Sequence, residues 1–349
     1  MIELSKFIKK YLFDPDCGYY SNKNPIGKDK DFITSPEISS IFGELIALYL
    51  VQITSDKSKI SFVEMGAGTG SLFFDILATI YKLAEKKVGL AQDFIKKTDF
   101  NIIETSPALE ELQKDKLKYF NITWHKYFQD FIQSRSQDSE ILFISNELFD
   151  CFAIDQYVKT DIGWCQRLIA IEQQQINFKL ANFNPDINQF IIDKIGFIES
   201  KKAPISAIFE FSKDADKFAH ELFLAINKFG GIAINIDYGY IINEFANSLQ
   251  SINNHKKVKF KDILQEKDGC DITAHVNFSM LDNIANNNQL NSSLVTQKEF
   301  LLSLGIVTRE KQILKQNDSN ALDVKRAINR LINAEEMGEL FKVHIAWKE

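Results

Sequence analysis

The sequence predicts an α/β fold with a doubly wound, mostly parallel sheet, and three stretches of the chain support this prediction. Residues 62–73 read as a short apolar strand, a glycine-rich turn and the start of an amphipathic helix. Residues 99–104 read as a second strand that ends on an acid, and residues 140–145 form an almost continuous apolar run. Such a run is typical of a central parallel strand, because both of its faces are covered.

The composition is that of a globular protein and disfavours some partners and sites. The chain has 349 residues, of which 45% are hydrophobic and 25% charged, and its net charge is −6. The acidic balance argues against a broad nucleic-acid-binding face. The four cysteines form no Cys-x-x-Cys pair, so we predict no metal site and no disulfide scaffold, in keeping with a reducing compartment. They are Cys17, Cys151, Cys165 and Cys270.

The N-terminal stretch and the most apolar stretch predict neither secretion nor membrane insertion. Residues 1–13 mix charged and apolar residues at helical spacing, unlike a signal peptide. The longest apolar stretch, residues 41–53, contains Glu44 and Gln52 and is too short to cross a bilayer. We therefore expect a cytoplasmic protein.

The glycine-rich turn has the sequence Glu64-Met65-Gly66-Ala67-Gly68-Thr69-Gly70, which allows a ligand to approach the backbone closely. The helix that follows offers free N–H groups to a carboxylate or phosphate. The spacing differs from the G-x-G-x-x-G of dinucleotide-binding folds. It resembles motif I of class I S-adenosylmethionine (SAM) methyltransferases, in which the glycine turn holds the methionine end of SAM. The alternative is a glycine turn that serves packing only.

This resemblance implies a cofactor site that uses the turn and the ends of the next two strands. In these enzymes an acid near the end of the second strand holds the ribose hydroxyls, and Glu104 matches that position, with a solvated strand end as the alternative. Trp124 is placed to stack on the adenine, with a buried aromatic as the alternative. The predicted cofactor contacts are Glu64, Gly66, Ala67, Gly68, Gly70, Glu104, Thr105 and Trp124.

Polar residues directly follow the apolar strand at 140–145. Ligands of doubly wound sheets bind at the carboxyl ends of strands where the strand order reverses, and the strands at 62–65 and 140–145 flank that point. Packing alone explains polar groups at the end of a buried strand poorly. We therefore predict that Asn146, Glu147 and Asp150 are catalytic and face the transferable methyl group.

The N-terminal segment 1–58 is predicted to be a helical lid over cofactor and substrate, with a cap on the sheet as the alternative. It contains a polar, proline-constrained stretch with aromatic and acidic residues before the first core strand. Asp237 and Tyr238 fall at the carboxyl end of a later strand. His275 is a further candidate, with a structural histidine as the alternative. The predicted lid and substrate residues are Tyr19, Tyr20, Asp31, Thr34, Pro36, Glu37, Asp237, Tyr238 and His275.

Residues 59–349 are predicted to form the core, with insertions at about 151–208 and about 243–305. The first insertion alternates short strand-like pieces and reads as antiparallel. Residues 209–212 and the strand after Gly230 are expected to resume the core. The asparagine-rich tract 283–293 is expected to be a surface loop, and residues 340–347 a final antiparallel strand.

The chain is similar from end to end to the MidA-type protein arginine methyltransferases, which are linked to assembly of respiratory complex I. The most specific motifs are the lid segment, Asn146-Glu147-Leu148-Phe149-Asp150 and Asp271-Ile272-Thr273-Ala274-His275-Val276. The motifs that carry the resemblance lie at 14–15, 18–20, 31–39, 42–43, 64–70, 104–107, 146–150, 237–239, 271–278, 297–301 and 337–341.

This resemblance implies a class I SAM-methyltransferase fold with a seven-stranded sheet, and methylation of an arginine on a partner protein. In the family the partner is the 49-kDa-type subunit of complex I and the product is symmetric dimethylarginine. A guanidinium has five donors and no acceptor, so carboxylates are needed to orient it. Glu147 and Asp150 are the expected pair, with Glu37 or Asp31 as a further acid.

Two other functions remain open from the sequence. One is a non-catalytic, SAM-binding assembly chaperone, and the other is a methyltransferase for another protein or a small molecule. The acidic balance disfavours RNA as a substrate. The oligomeric state is also left open, with a dimer as one option.

Overall fold

The structure is a computed structural model that describes residues 1–14, 16, 18–19, 34–242, 245–253, 256–267, 269–316 and 321–348. Two predicted lid residues, Tyr20 and Asp31, lie outside the described residues. The chain divides into two compact units. The first unit comprises Met1–Lys23, Phe149–Lys217 and Tyr240–Asn277, and the second comprises Asn24–Leu148, Phe218–Gly239 and Phe278–Glu349.

Strands occur in both units. In chain order they are β1 (Ile2–Glu3), β2 (Ile60–Met65), β3 (Thr98–Ile103), β4 (Ile122–His125), β5 (Glu140–Asn146), β6 (Asp155–Thr160), β7 (Gly163–Glu172), β8 (Gln175–Leu180), β9 (Ile208–Phe211), β10 (Gly231–Tyr240), β11 (Gln250–Asn253), β12 (Lys256–Val258), β13 (Asp271–Thr273), β14 (Val276–Asn277), β15 (Asn291–Thr296) and β16 (Phe341–Trp347).

Helices separate most of these strands, and within the described ranges no helix is both long and apolar enough to span a membrane. Short 3-10 helices occur at Phe149–Cys151 and Phe260–Gln265. The α-helices are α1 (Leu4–Phe13), α2 (Ser35–Ile38), α3 (Ser40–Ile53), α4 (Ser71–Glu85), α5 (Gly89–Lys97), α6 (Pro107–Lys116), α7 (Phe128–Ser134), α8 (Pro185–Ile195), α9 (Phe197–Lys202), α10 (Lys213–Phe229), α11 (Phe278–Asn287), α12 (Gln297–Ser303), α13 (Ile306–Gln316), α14 (Ala321–Ile332) and α15 (Met337–Leu340).

A mostly parallel sheet forms the centre of the second unit. Seven strands of the described chain follow the order β15-β16-β10-β5-β2-β3-β4. The five strands from β10 to β4 run parallel, and β16 is antiparallel to both of its neighbours. The predicted doubly wound α/β fold with an antiparallel final strand is therefore confirmed. The path has the seven strands that were predicted, and the two-residue β14 pairs with β10 as an eighth.

The strand order reverses between β2 and β5. From β2 the chain continues to β3 and β4 on one side, and it then returns to β5 on the other side of β2. Glu64 of β2 pairs with Ile144 of β5, and Asn146 of β5 pairs with Ile236 of β10. The carboxyl ends of β2 and β5 thus form the crevice in which doubly wound sheets bind ligands.

Aromatic packing fixes α4 against β2. β2 is buried from Ile60 to Glu64, and Phe62 stacks on Phe73 of α4 with ring centroids 5.0 Å apart. Burying one such side chain stabilises the fold by roughly 1.5–3 kcal/mol. Because α4 begins directly after the glycine turn, this contact also holds the turn at the end of the strand.

Antiparallel sheets form the first unit. β1, β7, β6 and β9 lie in that order with β8 on β7, and β12, β11 and β13 form a smaller sheet. Every one of these pairings is antiparallel, which confirms the antiparallel prediction for the region around 151–208. Asp155 of β6 accepts hydrogen bonds from the N–H and the hydroxyl of Ser5, near the start of α1.

Two local predictions are wrong. Residues 209–212 do not resume the parallel core, because β9 pairs with β6 in the first unit. Residues 283–293 are not a surface loop, since most of them lie in α11 and β15. α11 buries Phe278, Leu281 and Ile284, so apolar residues at helical spacing outweigh the asparagines between them.

Candidate active site

The glycine turn joins β2 to α4 with a left-handed backbone at each of its three glycines. The φ angles of Gly66, Gly68 and Gly70 are 72°, 53° and 75°, a region that residues with a β-carbon disfavour. A β-carbon at Gly66 would lie 2.9 Å from Cδ1 of Leu148. The Gly70 N–H donates to the carbonyl of Ala67 at 2.7 Å and closes the turn. The turn thus presents bare backbone to the crevice.

A cleft of about 370 Å³, the solvent at its mouth included, opens at the carboxyl ends of β2 and β5. Its wall combines the glycine turn, the polar ends of the two strands and the segment before α3. In the part of the chain that the structure describes, no group of three or more His, Cys, Asp or Glu side chains is arranged to hold a metal ion. The lining residues are Thr34, Pro36, Glu64, Gly66, Ala67, Gly68, Thr69, Ser71, Leu72, Asn146 and Glu147.

Glu64 lines this cleft from the end of β2 with only 2% of its surface exposed. The N–H of Phe73 donates to its carboxyl group, whereas Oε2 has no hydrogen-bond partner among the described residues. Burial raises the pKa of Glu64 to about 8, and the charge of Glu104 adds to this rise. A buried polar atom without a partner is uncommon, so Oε2 marks a position for a donor group of a ligand.

Glu104 follows β3, the strand next to β2, and its carboxylate is satisfied by the protein itself. The N–H of Ser106 donates to Oε1 and the side-chain amide of Gln113 donates to Oε2, both at 2.9 Å. Burial raises the pKa of Glu104, and these hydrogen bonds oppose the rise. Thr105 is exposed, and Trp124 donates its indole N–H to Oε1 of Gln113 at 3.2 Å. Sequence reasoning missed Gln113, because a glutamine on a helix has no distinguishing pattern.

Asn146 and Glu147 line the cleft from the end of β5. Glu147 has a φ of 54°, and its N–H donates to the carbonyl of Ile236 at 2.9 Å. Its Oε1 accepts hydrogen bonds from Nδ2 of Asn146 and from the N–H of Ser35, both at 3.2 Å. Oδ1 of Asn146 has no partner among the described residues. An uncommon backbone conformation thus places a carboxylate and an amide oxygen at the end of this strand.

A buried chain of hydrogen bonds continues from Ser35 into the C-terminal helices. The hydroxyl of Ser35 donates to Oε1 of Gln297 at 3.3 Å, and Nε2 of Gln297 donates to the carbonyl of Leu331 at 2.9 Å. Ser35 and Gln297 are both fully buried. Sequence reasoning did not connect these residues, which lie 262 positions apart.

The predicted lid residues Thr34, Pro36 and Glu37 lie beside the glycine turn. Thr34 and Pro36 line the cleft, and Oε1 of Glu37 accepts from the hydroxyls of Thr69 and Ser71 at 2.6 and 2.8 Å. Lys116 donates to the Ser71 hydroxyl at 2.7 Å. This network ties α2 to the N-terminus of α4. The roles of Thr69, Ser71 and Lys116 in it were not predicted from the sequence.

Asp237 and Tyr238 lie near the carboxyl end of β10, beside β5. Asp237 is buried and accepts a hydrogen bond from the N–H of Tyr238 at 2.8 Å. The Tyr238 ring packs on Phe341 with centroids 5.4 Å apart. Neither residue is among those that line the cleft, so their predicted substrate contact stays a prediction.

The predicted residues Asp150, Tyr19 and His275 belong to the first unit. The carbonyl of Asp150 accepts from the N–H of Ala274 at 3.4 Å, and the N–H of His275 donates to the hydroxyl of Ser248 at 2.8 Å. Tyr19 is buried in the hydrophobic core of that unit. Their roles in catalysis and substrate binding also stay predictions.

The chain is similar over nearly its whole length to curated proteins of animals. It is 28% identical over 370 residues to the mitochondrial protein arginine methyltransferase NDUFAF7 of Danio rerio, an alignment that covers 98% of this chain and 82% of that protein. The Homo sapiens protein of the same name is 26% identical over 379 residues, and the alignment covers 97% and 78% of the two chains.

A solved structure has the same fold. It comes from a protein of Burkholderia thailandensis that was crystallised bound to S-adenosyl-homocysteine. The TM-score is 0.83 at 23% sequence identity, and the match covers 99% of this chain and 88% of that chain. The predicted SAM-methyltransferase fold class is therefore confirmed.

The cleft fits SAM by the chemistry of its walls. The N-terminus of α4 and the bare glycine turn suit a carboxylate, and the unpartnered Oε2 of Glu64 suits an ammonium group. Glu104 is not among the residues that line this cleft, so its predicted contact with the ribose hydroxyls stays a prediction. Of the predicted cofactor contacts, Glu64, Gly66, Ala67 and Gly68 line the cleft and would hold the cofactor there. The contacts of Gly70, Glu104, Thr105 and Trp124 stay predictions.

A family model described as an S-adenosyl-L-methionine-dependent methyltransferase matches residues 45–296. This range is most of the chain, and it includes the glycine turn and the ends of β2, β3 and β5. Fold, cleft and family model agree: the chain belongs to this family of SAM-dependent methyltransferases, and SAM is its cofactor.

Proposed function

We propose that this methyltransferase acts on the side chain of a protein arginine. The animal relatives are named protein arginine methyltransferases, which supports the same substrate class here. We extend the proposal, from the family resemblance alone, to symmetric dimethylation of the 49-kDa-type subunit of respiratory complex I during assembly. A cytoplasmic location is part of this proposal, whereas the relatives are named mitochondrial.

The observation that carries the arginine proposal is the pair of acceptor side chains at the carboxyl end of β5. Oδ1 of Asn146 has no partner among the described residues, and Asn146 lines the cleft. Glu147 adds a carboxylate whose position is fixed by Ser35 and Asn146. A guanidinium carries only donors, so a wall of acceptors is complementary to it and poorly suited to a carbonyl or phosphate substrate.

In this proposal the bound cofactor supplies an electrophilic methyl group, and the protein supplies orientation and a proton acceptor. The Glu147 carboxylate would hold the guanidinium N–H groups and receive the proton that the methylated nitrogen loses. Oδ1 of Asn146 would accept a hydrogen bond from a further N–H group of the guanidinium. Fixed geometry of this kind accounts for much of the rate in a displacement reaction.

We also propose that the segment 1–58 acts as the lid over residues 59–349. The support is that Thr34 and Pro36 line the cleft and that Glu37 is tied to Thr69 and Ser71. Asp150 is proposed as the second carboxylate on the sequence pattern alone.

Replacing Glu147 by Gln tests the proposal. The variant should lose at least about a hundredfold in methyl transfer, since the amide cannot take up a proton, while its affinity for S-adenosyl-homocysteine changes less than about threefold. The assay incubates protein with methyl-tritiated SAM and the 49-kDa-type subunit, followed by hydrolysis and identification of the labelled amino acid. Glu111→Gln, an exposed change on α6, is the matched control.

Label in symmetric dimethylarginine that depends on Glu147 and not on Glu111 supports the proposal. Label in an amino acid other than arginine contradicts the substrate class. Full turnover by Glu147→Gln contradicts the role of that carboxylate.

A further inference from the structure

Gln113 is a buried polar residue on the face of α6 that points into the fold. Its side chain is fully buried, and Leu109, four positions earlier, is buried with it. Residues four apart share one face of a helix. Glutamine is mostly exposed in proteins, so its position where a helix normally presents an apolar residue requires an explanation.

The side-chain amide of Gln113 bonds three parts of the cofactor site. Nε2 donates to the carbonyl of Gly68 and to Oε2 of Glu104, both at 2.9 Å. Oε1 accepts the indole N–H of Trp124 at 3.2 Å. Both amide hydrogens and the amide oxygen are therefore used, and they reach the glycine turn, the end of β3 and the end of β4.

Only one orientation of this amide satisfies its neighbours. The Gly68 carbonyl can only accept a hydrogen bond and the Trp124 indole can only donate one. Rotating the amide by 180° would set the amide oxygen against the carbonyl and an N–H against the indole N–H. The same three neighbours thus fix the orientation of Gln113, and Gln113 in turn fixes the distance between Gly68 and Glu104.

We propose that Gln113 is a positioning residue that holds the glycine turn, the Glu104 carboxylate and the Trp124 ring in the arrangement that binds the adenosine half of the cofactor. This inference rests on the proposed cofactor role of Glu104. Gln113 does not line the cleft, and it acts through the three groups that it bonds. Gln113 also lies against the glycine turn, since a β-carbon at Gly70 would be in ordinary van der Waals contact with its Cγ at 3.4 Å.

The test is a set of calorimetric titrations with S-adenosyl-homocysteine. Gln113→Met keeps the length of the side chain and removes all three hydrogen bonds, and it should bind about tenfold to a hundredfold more weakly. Gln92→Met, the same change at an exposed glutamine of α5, should bind like wild type. Glu104→Gln and the double variant complete a double-mutant cycle, in which the two losses should add only in part, because Gln113 acts through Glu104 as well as through Gly68 and Trp124.

A second variant, Gln113→Glu, gives a readout that a purely structural role would not change. It places a second carboxyl group against Glu104, and two adjacent carboxylates repel each other when both are ionised. Its affinity relative to wild type should therefore be lower at about pH 8 than at about pH 6. The charges of Glu64 and Glu110 also act near Glu104, and they are the same in every variant.

The outcomes separate this inference from the site itself. If Glu104→Gln weakens binding and Gln113→Met does not, or if the two losses add in full, the positioning role is overturned while the cofactor site stands. If Glu104→Gln leaves binding unchanged, the assignment of Glu104 falls and the inference falls with it. The inference is also overturned if the Gln113→Glu variant binds S-adenosyl-homocysteine with the affinity of wild type at both pH values.

Discussion

Glu64 and Glu104 end the neighbouring strands β2 and β3, yet their carboxyl groups have different surroundings. Both are buried, with 2% and 8% of their surfaces exposed. Each oxygen of Glu104 accepts a hydrogen bond, from Ser106 and from Gln113. Oε2 of Glu64 accepts none from the described residues, and burial raises the pKa of Glu64 to about 8.

Burial alone therefore does not decide the protonation state of a carboxyl group at the end of a strand. The number of donors aimed at it decides how far the cost of desolvation is offset. Glu104 has a fixed acceptor geometry before any ligand arrives, whereas Oε2 of Glu64 has no donor among the described residues. Glu147, at the end of β5, is also held by donors, since its Oε1 accepts from Ser35 and from Asn146.

The largest expected effect on stability comes from replacing Glu64. Without cofactor, Glu64→Gln should raise the free energy of unfolding by about 2–4 kcal/mol at about pH 8, because the amide needs no buried charge or bound proton. The folded protein holds the Glu64 proton more tightly than the unfolded chain. Wild type therefore loses stability as the pH rises from about 5 to about 8, and the advantage of the variant grows across this window. Urea denaturation at several pH values measures the difference.

Glu104→Gln is the matched comparison for this prediction. The same chemical change should alter the free energy of unfolding by less than about 1 kcal/mol, because lost charge-assisted hydrogen bonds offset the gain from removing a buried charge. Equal effects of the two substitutions would contradict the distinction between a satisfied and an unsatisfied carboxyl group. A Glu64→Gln variant that is less stable than wild type at about pH 8 would also contradict this distinction.

A smaller effect is expected from Gln297, which supports Glu147 through Ser35. Gln297→Met leaves the Ser35 hydroxyl and the Leu331 carbonyl without their partner. It should lower the free energy of unfolding by about 1–2 kcal/mol and slow methyl transfer about tenfold, since Glu147 is held less firmly. Affinity for S-adenosyl-homocysteine should stay unchanged, because Glu64, Glu104 and the glycine turn are intact.

Gln312→Met, an exposed glutamine on α13, is the control for Gln297. If Gln297→Met weakens cofactor binding as much as it slows transfer, the residue supports the whole unit rather than Glu147. That result would contradict the prediction that Gln297 holds Glu147 in position through Ser35.

The sequence predicts the parts of the fold and site that depend on local pattern. The apolar run before Glu64, the glycines of the turn and the acid after β3 define the sheet and the cofactor side of the cleft. They are readable because strand periodicity and left-handed turns restrict residue type within a few positions. The position of Asn146 and Glu147 in the cleft follows from strand order by the same logic.

The parts that could not be predicted depend on contacts between distant positions. Gln113, Ser35 and Gln297 are polar residues whose burial is visible only when the helices are docked. The asparagine-rich tract misled composition-based reasoning, since four buried apolar residues of α11 decide its structure. The amino-acid composition of β9 does not reveal that it pairs with β6, because strands with aromatic residues occur in both sheets.

Calorimetric titration of the protein with SAM, beside Gly68→Asp and Gly89→Asp, tests whether the glycine turn forms the cofactor site. Gly68 has a φ of 53° in the turn, and an aspartate there adds strain and a negative charge near Glu64 and Glu104. Gly89 begins α5, where a β-carbon meets nothing within 4 Å and an acid is favourable. If the glycine turn forms the cofactor site, wild type and Gly89→Asp bind SAM alike and Gly68→Asp binds at least about a hundredfold more weakly. Equal binding by Gly68→Asp, or no binding by wild type, would contradict the account.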